Sequence, residues 1–479
     1  MRGWLPAALL GLAALRLAVA GATGLAPDEA YYWVWSKALA PGYPDHPPMV
    51  AFWIRLGTAL GGEGAFGVRL LGPLVGLLGS YLLARAAEDL FPGRGAGPRA
   101  ALLFNATLFL GVGGVIISPD TPLLFFWAAT LWALGRLLKT GQGWWFLVAG
   151  LAAGGGLLSK YTAVLLAPAI GLWLLLTPCG RGWLRRPWPW AALALALLCF
   201  LPNLLWEAGH GWASFLRQGG RTEAWNPARA GQFLLELLGG QIGLATPLVF
   251  WLGLRGTLAL LPRWREPGAL LLLVMVLLPA AVFAEHALGD RVQGNWPAIL
   301  WPAACLAAAA LPGRSWRPAV ALGLVLGLAV YLQAVLAPFR LPITRDPTLL
   351  RLAGWEEFFE DVAMVQRRGG YAFVAADQYG IAAELAHGLR VEVPVLGVED
   401  RWRLFALPPA APEGRPGLLV TTMRQASPPD ARPWQSLTLL GTLTRSRNGM
   451  MAEGFRLWSA LPRPAGPGGP VLTRLPRPD

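Results

Sequence analysis

Stretches of about 20 predominantly apolar residues recur along most of this 479-residue chain. At about 1.5 Å rise per residue, each is long enough to cross a hydrocarbon core of about 30 Å. Only 14% of the residues are charged and 55% are hydrophobic. Soluble domains carry about a quarter charged residues, so most of this chain is solvated by something other than water. Its formal net charge of +13 would suggest nucleic acid in a soluble protein. Here many of the arginines lie in short loops between apolar runs, as the positive-inside bias requires, so membrane lipids are expected partners and nucleic acid is not.

The hydropathy pattern predicts about eleven spans, near residues 4–22, 67–91, 99–117, 121–139, 144–158, 161–177, 189–206, 232–256, 269–285, 296–312 and 318–338. The first run ends in Ala18-Val19-Ala20-Gly21 and imitates a cleavable signal, but Arg16 interrupts it and many spans follow, so it reads as a retained helix. With the N-terminus in the cytoplasm, the inside loops hold Arg94 and Arg99; Arg136 and Lys139; Arg181, Arg185 and Arg186; Arg255, Arg263 and Arg265; and Arg314 and Arg317. The C-terminal segment then lies outside. Cys179, Cys199 and Cys305 lie in or at the end of apolar segments without metal-ligand spacing, so they predict neither disulfides nor a zinc site.

The first external loop, about residues 23–66, carries Tyr31, Tyr32, Trp33 and Trp35 and then Met49, Val50, Phe52 and Trp53. These runs predict helices lying in the membrane interface, with their rings at headgroup level. Beyond residue 340 the hydropathy falls. Tyr371 to Ala376 reads as a strand, Gln378 to Leu389 as a helix, Gly417 to Thr422 as a strand, and Leu437 to Trp458 as further β structure. The expected organisation is a transmembrane catalytic domain over 1–340, a small α/β domain over 341–461 and a disordered tail over 462–479.

Six polar clusters fall on the outer side in this topology. Asp28-Glu29-Ala30-Tyr31-Tyr32 follows the first span; Asp28 could cap an interfacial helix or act as a carboxylate at the membrane surface. Tyr43-Pro44-Asp45-His46-Pro47-Pro48 is a rigid turn that presents an acid beside a histidine, suited to a metal or a phosphate. In Ser118-Pro119-Asp120-Thr121-Pro122 the acid could cap a helix beginning at Pro122. Leu158-Ser159-Lys160-Tyr161 places one of only three lysines next to hydrocarbon, where snorkelling and anion binding are the two readings. The last two clusters are Glu207 to Arg221, with His210 and Arg217, and Glu285 to Pro297, with Asp290, Arg291 and Asn295. Carboxylates, histidines and cations gathered at one face would suit an anionic substrate and acid–base chemistry.

In the same order, these motifs resemble those of bacterial family 39-type glycosyltransferases, GT-C membrane enzymes related to protein O-mannosyltransferases. They are also similar to the aminoarabinose and galacturonosyl transferases that decorate lipid A. The resemblance covers about residues 24–310, and more loosely Asp377 to His387. It implies a GT-C-like helical domain that moves a sugar, with inversion, from a polyprenyl-phosphate donor to a lipid, glycan or protein acceptor at the periplasmic face of the bacterial inner membrane. It implies Asp28 as general base and Asp120 as a second catalytic acid. Lys160 would hold the donor phosphate, with Glu29, Tyr32, His46 and Tyr161 as further donor-binding candidates; Arg221 and Arg291 join them by their position alone, outside the resemblance. Asp45 would hold a divalent metal ion if one is used, with His210 added by its position alone; where aminoarabinose transferases carry a lysine, this chain has His46. The rival readings are a flippase for lipid-linked sugars, which would need polar residues at mid-bilayer depth, and a non-catalytic assembly or sensor protein.

Overall fold

The computed structural model describes residues 3–219, 225–410, 412, 414–425, 427–464 and 472–478. The chain forms two compact units. One comprises Met1–Ala18, Pro44–Val50 and Leu71–Ala329; the other comprises Val19–Tyr43, Ala51–Leu70 and Val330–Asp479. The boundary expected near residue 340 is therefore incomplete, because most of the first loop clusters with the C-terminal sheet.

Among the described residues six helices are long and apolar enough to cross a membrane, or up to eight if each of two bent pairs counts as one span. Three shorter apolar helices, Met49–Gly61, Trp145–Leu157 and Trp296–Ala309, accompany them. The chain is thus a multi-pass helical membrane protein. Several of the predicted spans are broken. The run near 99–117 divides into Ala96–Asn105 and Leu108–Gly111, because the Thr107 hydroxyl accepts the Leu110 amide and starts a new helix. Thr177-Pro178 and Thr246-Pro247 bend their helices by 112° and 106°. Both prolines start a new helix, where a missing N–H costs nothing.

In the first unit the helix Asp120–Thr140 is central, with Trp127, Leu131 and Leu134 fully buried. Beside it, Gly150 and Gly154 let the helix Trp145–Leu157 approach Pro187–Gly209 closely. A Cβ at Gly150 would stand 2.4 Å from the Ala192 carbonyl oxygen, and one at Gly154 would stand 2.7 Å from Cys199 Cβ. Such small-residue spacing replaces the hydrophobic effect as the source of helix packing inside lipid. At the C-terminal end of Asp120–Thr140, Arg136 and Lys139 meet the buried Asp89 at 3.3 and 2.8 Å. The cations expected inside and the carboxylate expected outside therefore occupy opposite ends of one helix about 30 Å long.

The second unit holds a seven-stranded sheet made of β1 (Val374–Ala376), β2 (Val395–Gly397), β3 (Pro409–Ala410), β4 (Gly417–Thr422), β5 (Trp434–Arg447), β6 (Met450–Pro462) and β7 (Leu472–Arg474), in the order β3-β7-β2-β1-β4-β6-β5. Strand β1 runs parallel to both β2 and β4, and the other pairs are antiparallel. Asn448-Gly449, both at positive φ, closes the long β5–β6 hairpin with the backbone that a two-residue turn requires. Of the tail expected to be disordered, residues 465–471 lie outside the described residues, and residues 472–474 form β7. Leu472 enters the sheet core, and Arg477 donates to the carbonyls of Leu389, Val391 and Val393. The helix Pro27–Lys37 does not present its rings to headgroups as expected: Tyr31, Tyr32, Trp33 and Trp35 are buried within the unit, and Trp35 stacks on Tyr43 at 4.2 Å. On Met49–Gly61, by contrast, Phe52, Leu56 and Leu60 form an exposed apolar stripe suited to an interface.

Candidate functional site

The first unit contains a polar constellation centred on Asp120. The helix begins at Asp120 itself, with Pro119 as its N-cap and no side-chain cap. Ser118 Oγ accepts the Asp120 amide, and Thr121 Oγ1 accepts the Ser118 amide. Asp120 therefore does not serve as the cap that its position suggests. Its Oδ1 accepts from Lys160 Nζ at 2.7 Å and its Oδ2 from Asn295 Nδ2 at 2.5 Å. Lys160 occupies the extended residue between Trp145–Leu157 and the 3-10 turn Tyr161–Leu165, so the ammonium leaves the helix where the ladder stops. Both partners are largely buried, with side-chain exposures of 8% for Lys160 and 14% for Asp120. A buried ammonium is tolerated only with such a partner.

The Asp45 turn belongs to the same unit. The Met49 amide donates to the Leu158 carbonyl at 2.9 Å, two residues before Lys160. Asp45 accepts from Arg217 at 2.8 Å, and its carbonyl accepts from Gln218 at 2.7 Å. His46, half-buried, lies between Asp45 and the buried Pro47-Pro48 pair. Tyr161, expected to touch a donor, instead directs its hydroxyl at Glu207 Oε1, 3.2 Å away, and at Ser214 Oγ. Glu207 is fully buried and also accepts the Ser214 amide and hydroxyl. Arg291 likewise is engaged by Glu236, in a two-pronged pair at 2.6 and 2.9 Å. Arg221 lies outside the described residues. The structure thus joins Asp120, Lys160 and Asn295, and separately Asp45 with Arg217.

A metal site finds little support in this geometry. His210 stacks on Trp206 at 4.1 Å and directs Nδ1 at the Trp206 carbonyl. Asp45 already faces a guanidinium. Among the described residues no group of three or more His, Cys, Asp or Glu side chains is placed to hold an ion. Asp45 and His210 do not constitute a metal site by themselves.

The second unit contains the other carboxylate cluster. Glu29 is completely buried, takes two hydrogen bonds from Arg69 at 2.8 and 2.6 Å, and caps its own helix by accepting the Ala26 amide at 2.9 Å. Arg69 completes its set on the carbonyls of Ala20, Thr23 and Gly24. Glu29 is therefore a structural ion-pair partner, and its expected role toward an anionic donor is corrected: an enclosed carboxylate does not receive a phosphate. The cap expected of Asp28 is likewise supplied by Glu29. Tyr32 is buried edge-on to Trp35. Asp28, by contrast, is half-exposed at 48%; its Oδ1 accepts from the Tyr379 hydroxyl at 3.0 Å, and Arg351 stands 3.8 Å from its Oδ2.

Tyr379 opens the helix Tyr379–Gly388 directly after β1, and the Arg401 guanidinium covers its ring at 4.0 Å. Asp377, at the end of β1, has a buried oxygen without a hydrogen-bond partner. Burial, reinforced by the charge of Glu399, pushes its carboxyl up to about 6 against a backbone hydrogen bond that lowers it. Sequence reasoning passed over Tyr379 and Arg401. The signal that could have found them is their place after short buried strands, where α/β sheets present side chains.

A family model described as dolichyl-phosphate-mannose-protein mannosyltransferase matches residues 45–206. Lipid A galacturonosyltransferase RgtD of Rhizobium johnstonii is 29% identical over 403 residues, covering 81% of each chain. Lipopolysaccharide core galacturonosyltransferase RgtA of the same organism is 28% identical over 244 residues, 47% of this chain and 46% of its own. The structure of ArnT from Cupriavidus metallidurans bound to undecaprenyl phosphate matches with a TM-score of 0.59 at 16% identity, covering 95% of this chain and 98% of that one, and shows a common fold. These likenesses do not support the flippase reading. The chain is a membrane glycosyltransferase of the GT-C fold, related to the protein mannosyltransferases and to the enzymes that glycosylate lipid A.

Proposed function

We propose that the chain transfers a galacturonosyl residue from a polyprenyl-phosphate donor to lipid A at the periplasmic face of a bacterial inner membrane. The observation that carries this reading is the match to a lipid A galacturonosyltransferase over four-fifths of both chains. The undecaprenyl phosphate in the ArnT structure names the class of donor carrier for that fold.

The chemistry follows from the side chains. The acceptor hydroxyl attacks the anomeric carbon, the bond from that carbon to the phosphate oxygen breaks, and the configuration inverts. Asp28 takes the hydroxyl proton, because it is a half-open carboxylate with one oxygen already oriented. Lys160 stabilises the charge on the departing phosphate. An ammonium has three donors, and Asp120 takes one of them at 2.7 Å. In this reading Asp120, itself held by Asn295, holds the lysine and moves no proton. Purified protein incubated with polyprenyl-phosphate galacturonate and lipid A is expected to add one galacturonosyl mass to lipid A. No addition, or movement of the intact lipid-linked sugar across vesicles without transfer, would overturn the reading.

A further inference from the structure

We propose that Tyr379 is the positioning residue for this reaction: its phenol fixes Oδ1 of Asp28 and leaves Oδ2 to accept the proton of the attacking hydroxyl. The inference rests on the reading of Asp28 as general base and extends it to the C-terminal sheet.

The argument begins with the sheet. The parallel strands β2 and β4 flank β1 on opposite sides. The chain leaves β1 through the helix Tyr379–Gly388 toward β2, while β4 lies on the other side. The carboxyl end of β1 is therefore the point at which the strand order reverses, and open α/β sheets present functional side chains there. Tyr379 occupies that end and is held from several directions. Its amide donates to Glu399 Oε1 at 3.3 Å, just beyond β2. Its ring lies 4.5 Å from that of Tyr31 and beneath the guanidinium of Arg401, which Glu399 in turn holds by an ion pair. Gln378 caps the helix by accepting the Ile381 amide at 2.8 Å. A phenol held at its amide and, at its ring, by Tyr31 and Arg401 directs its hydroxyl at Asp28 Oδ1, 3.0 Å away.

Removing the phenol leaves the carboxylate free to turn away from the attacking hydroxyl, so the loss falls on kcat and leaves KM. The other charged or titratable groups around this position are Arg351 from the helix Pro347–Leu352, Arg401 and Glu399 beyond β2, Asp377 at the end of β1, and Tyr31 on the helix of Asp28 itself. Arg351 is 3.8 Å from Oδ2, longer than a hydrogen bond, and is largely exposed.

The test uses the full chain with polyprenyl-phosphate galacturonate and lipid A, and follows kcat and KM. Tyr379→Phe is expected to lower kcat about tenfold and to leave KM within about threefold. A 4-methylphenylalanine at 379 keeps the shape without the donor and is expected to show the same split; it decides the question alone if the phenylalanine variant does not fold. A fluorotyrosine at 379 keeps the donor and is expected to keep kcat within about threefold. A kcat unmoved by removal of the donor at 379, while Asp28→Asn is inactive, overturns the role of Tyr379 and leaves the base assignment standing. An active Asp28→Asn overturns both.

Discussion

Asp28 and Asp120 are written alike in the sequence: each follows a proline and falls in the first turn of a helix. The two units treat them differently. Asp120 is enclosed, with one oxygen on an ammonium and the other on an amide. Asp28 is half-exposed and meets a neutral phenol. A carboxylate committed to a buried cation is a counter-ion whose loss strands that cation. A carboxylate oriented by a neutral donor keeps the capacity to take a proton. In the proposed reading the surroundings, and not the motif, separate a structural acid from a chemical one.

The sharpest way to break this comparison lies one residue from Asp28. Removing either side of the buried Glu29–Arg69 pair, by Glu29→Gln or Arg69→Met, is expected to cost about 3–5 kcal/mol, read as a lower unfolding temperature in detergent. Asp28→Asn should shift stability by no more than about 0.5 kcal/mol. Equal destabilisation by the two neighbours would end the distinction. Next in size is Asp120→Asn, expected to cost about 2–4 kcal/mol. The double change with Lys160→Met should recover at least about 1 kcal/mol of that loss, because the pair is coupled; strict additivity would show that the ion pair is not the source.

Asp377 gives a pH-dependent prediction. Its folded carboxyl is raised to about 6, so its contribution is fully present below the unfolded range near 3.9 and is lost as pH rises through about 6. Asp377→Asn should therefore stabilise the chain by about 2 kcal/mol above pH 7 and make little difference below pH 4. A pH-independent effect would remove the buried-carboxyl account. The smallest effect is expected of Arg217→Ala. Its ion pair with Asp45 is partly exposed, so its loss should cost less than about 1 kcal/mol, and a larger cost would mark the Asp45 turn as a structural anchor.

Much of the fold was legible because it rests on local pattern. Gly417 to Thr422 is a strand to the residue, and the helix after Gln378 starts where predicted, capped by that side chain. The break at Thr246-Pro247 was also written in the sequence, as a proline that starts a helix, but a hydropathy window averages across it. Strand β7 had no such signal: three residues are held by backbone pairing and one buried leucine, beyond a proline- and glycine-rich stretch. At the candidate site, residue types and clusters were legible and pairings were not. Nothing local distinguishes Glu29 from Asp28, because the deciding partner, Arg69, is forty residues away. Tyr161 was a donor-binding candidate, but its hydroxyl meets Glu207 and Ser214, which only the fold brings to it.

The division between the two carboxylates is tested most directly by single-turnover transfer at saturating donor, with Asp28→Asn and Asp120→Asn measured side by side. Asp28→Asn is expected to lose about 10²- to 10⁴-fold in the chemical step while melting like the wild type. Asp120→Asn is expected to melt lower and, once donor saturates, to keep that step within about tenfold. An Asp120→Asn protein that is stable, binds donor and cannot turn over, beside an Asp28→Asn protein that can, would contradict the account.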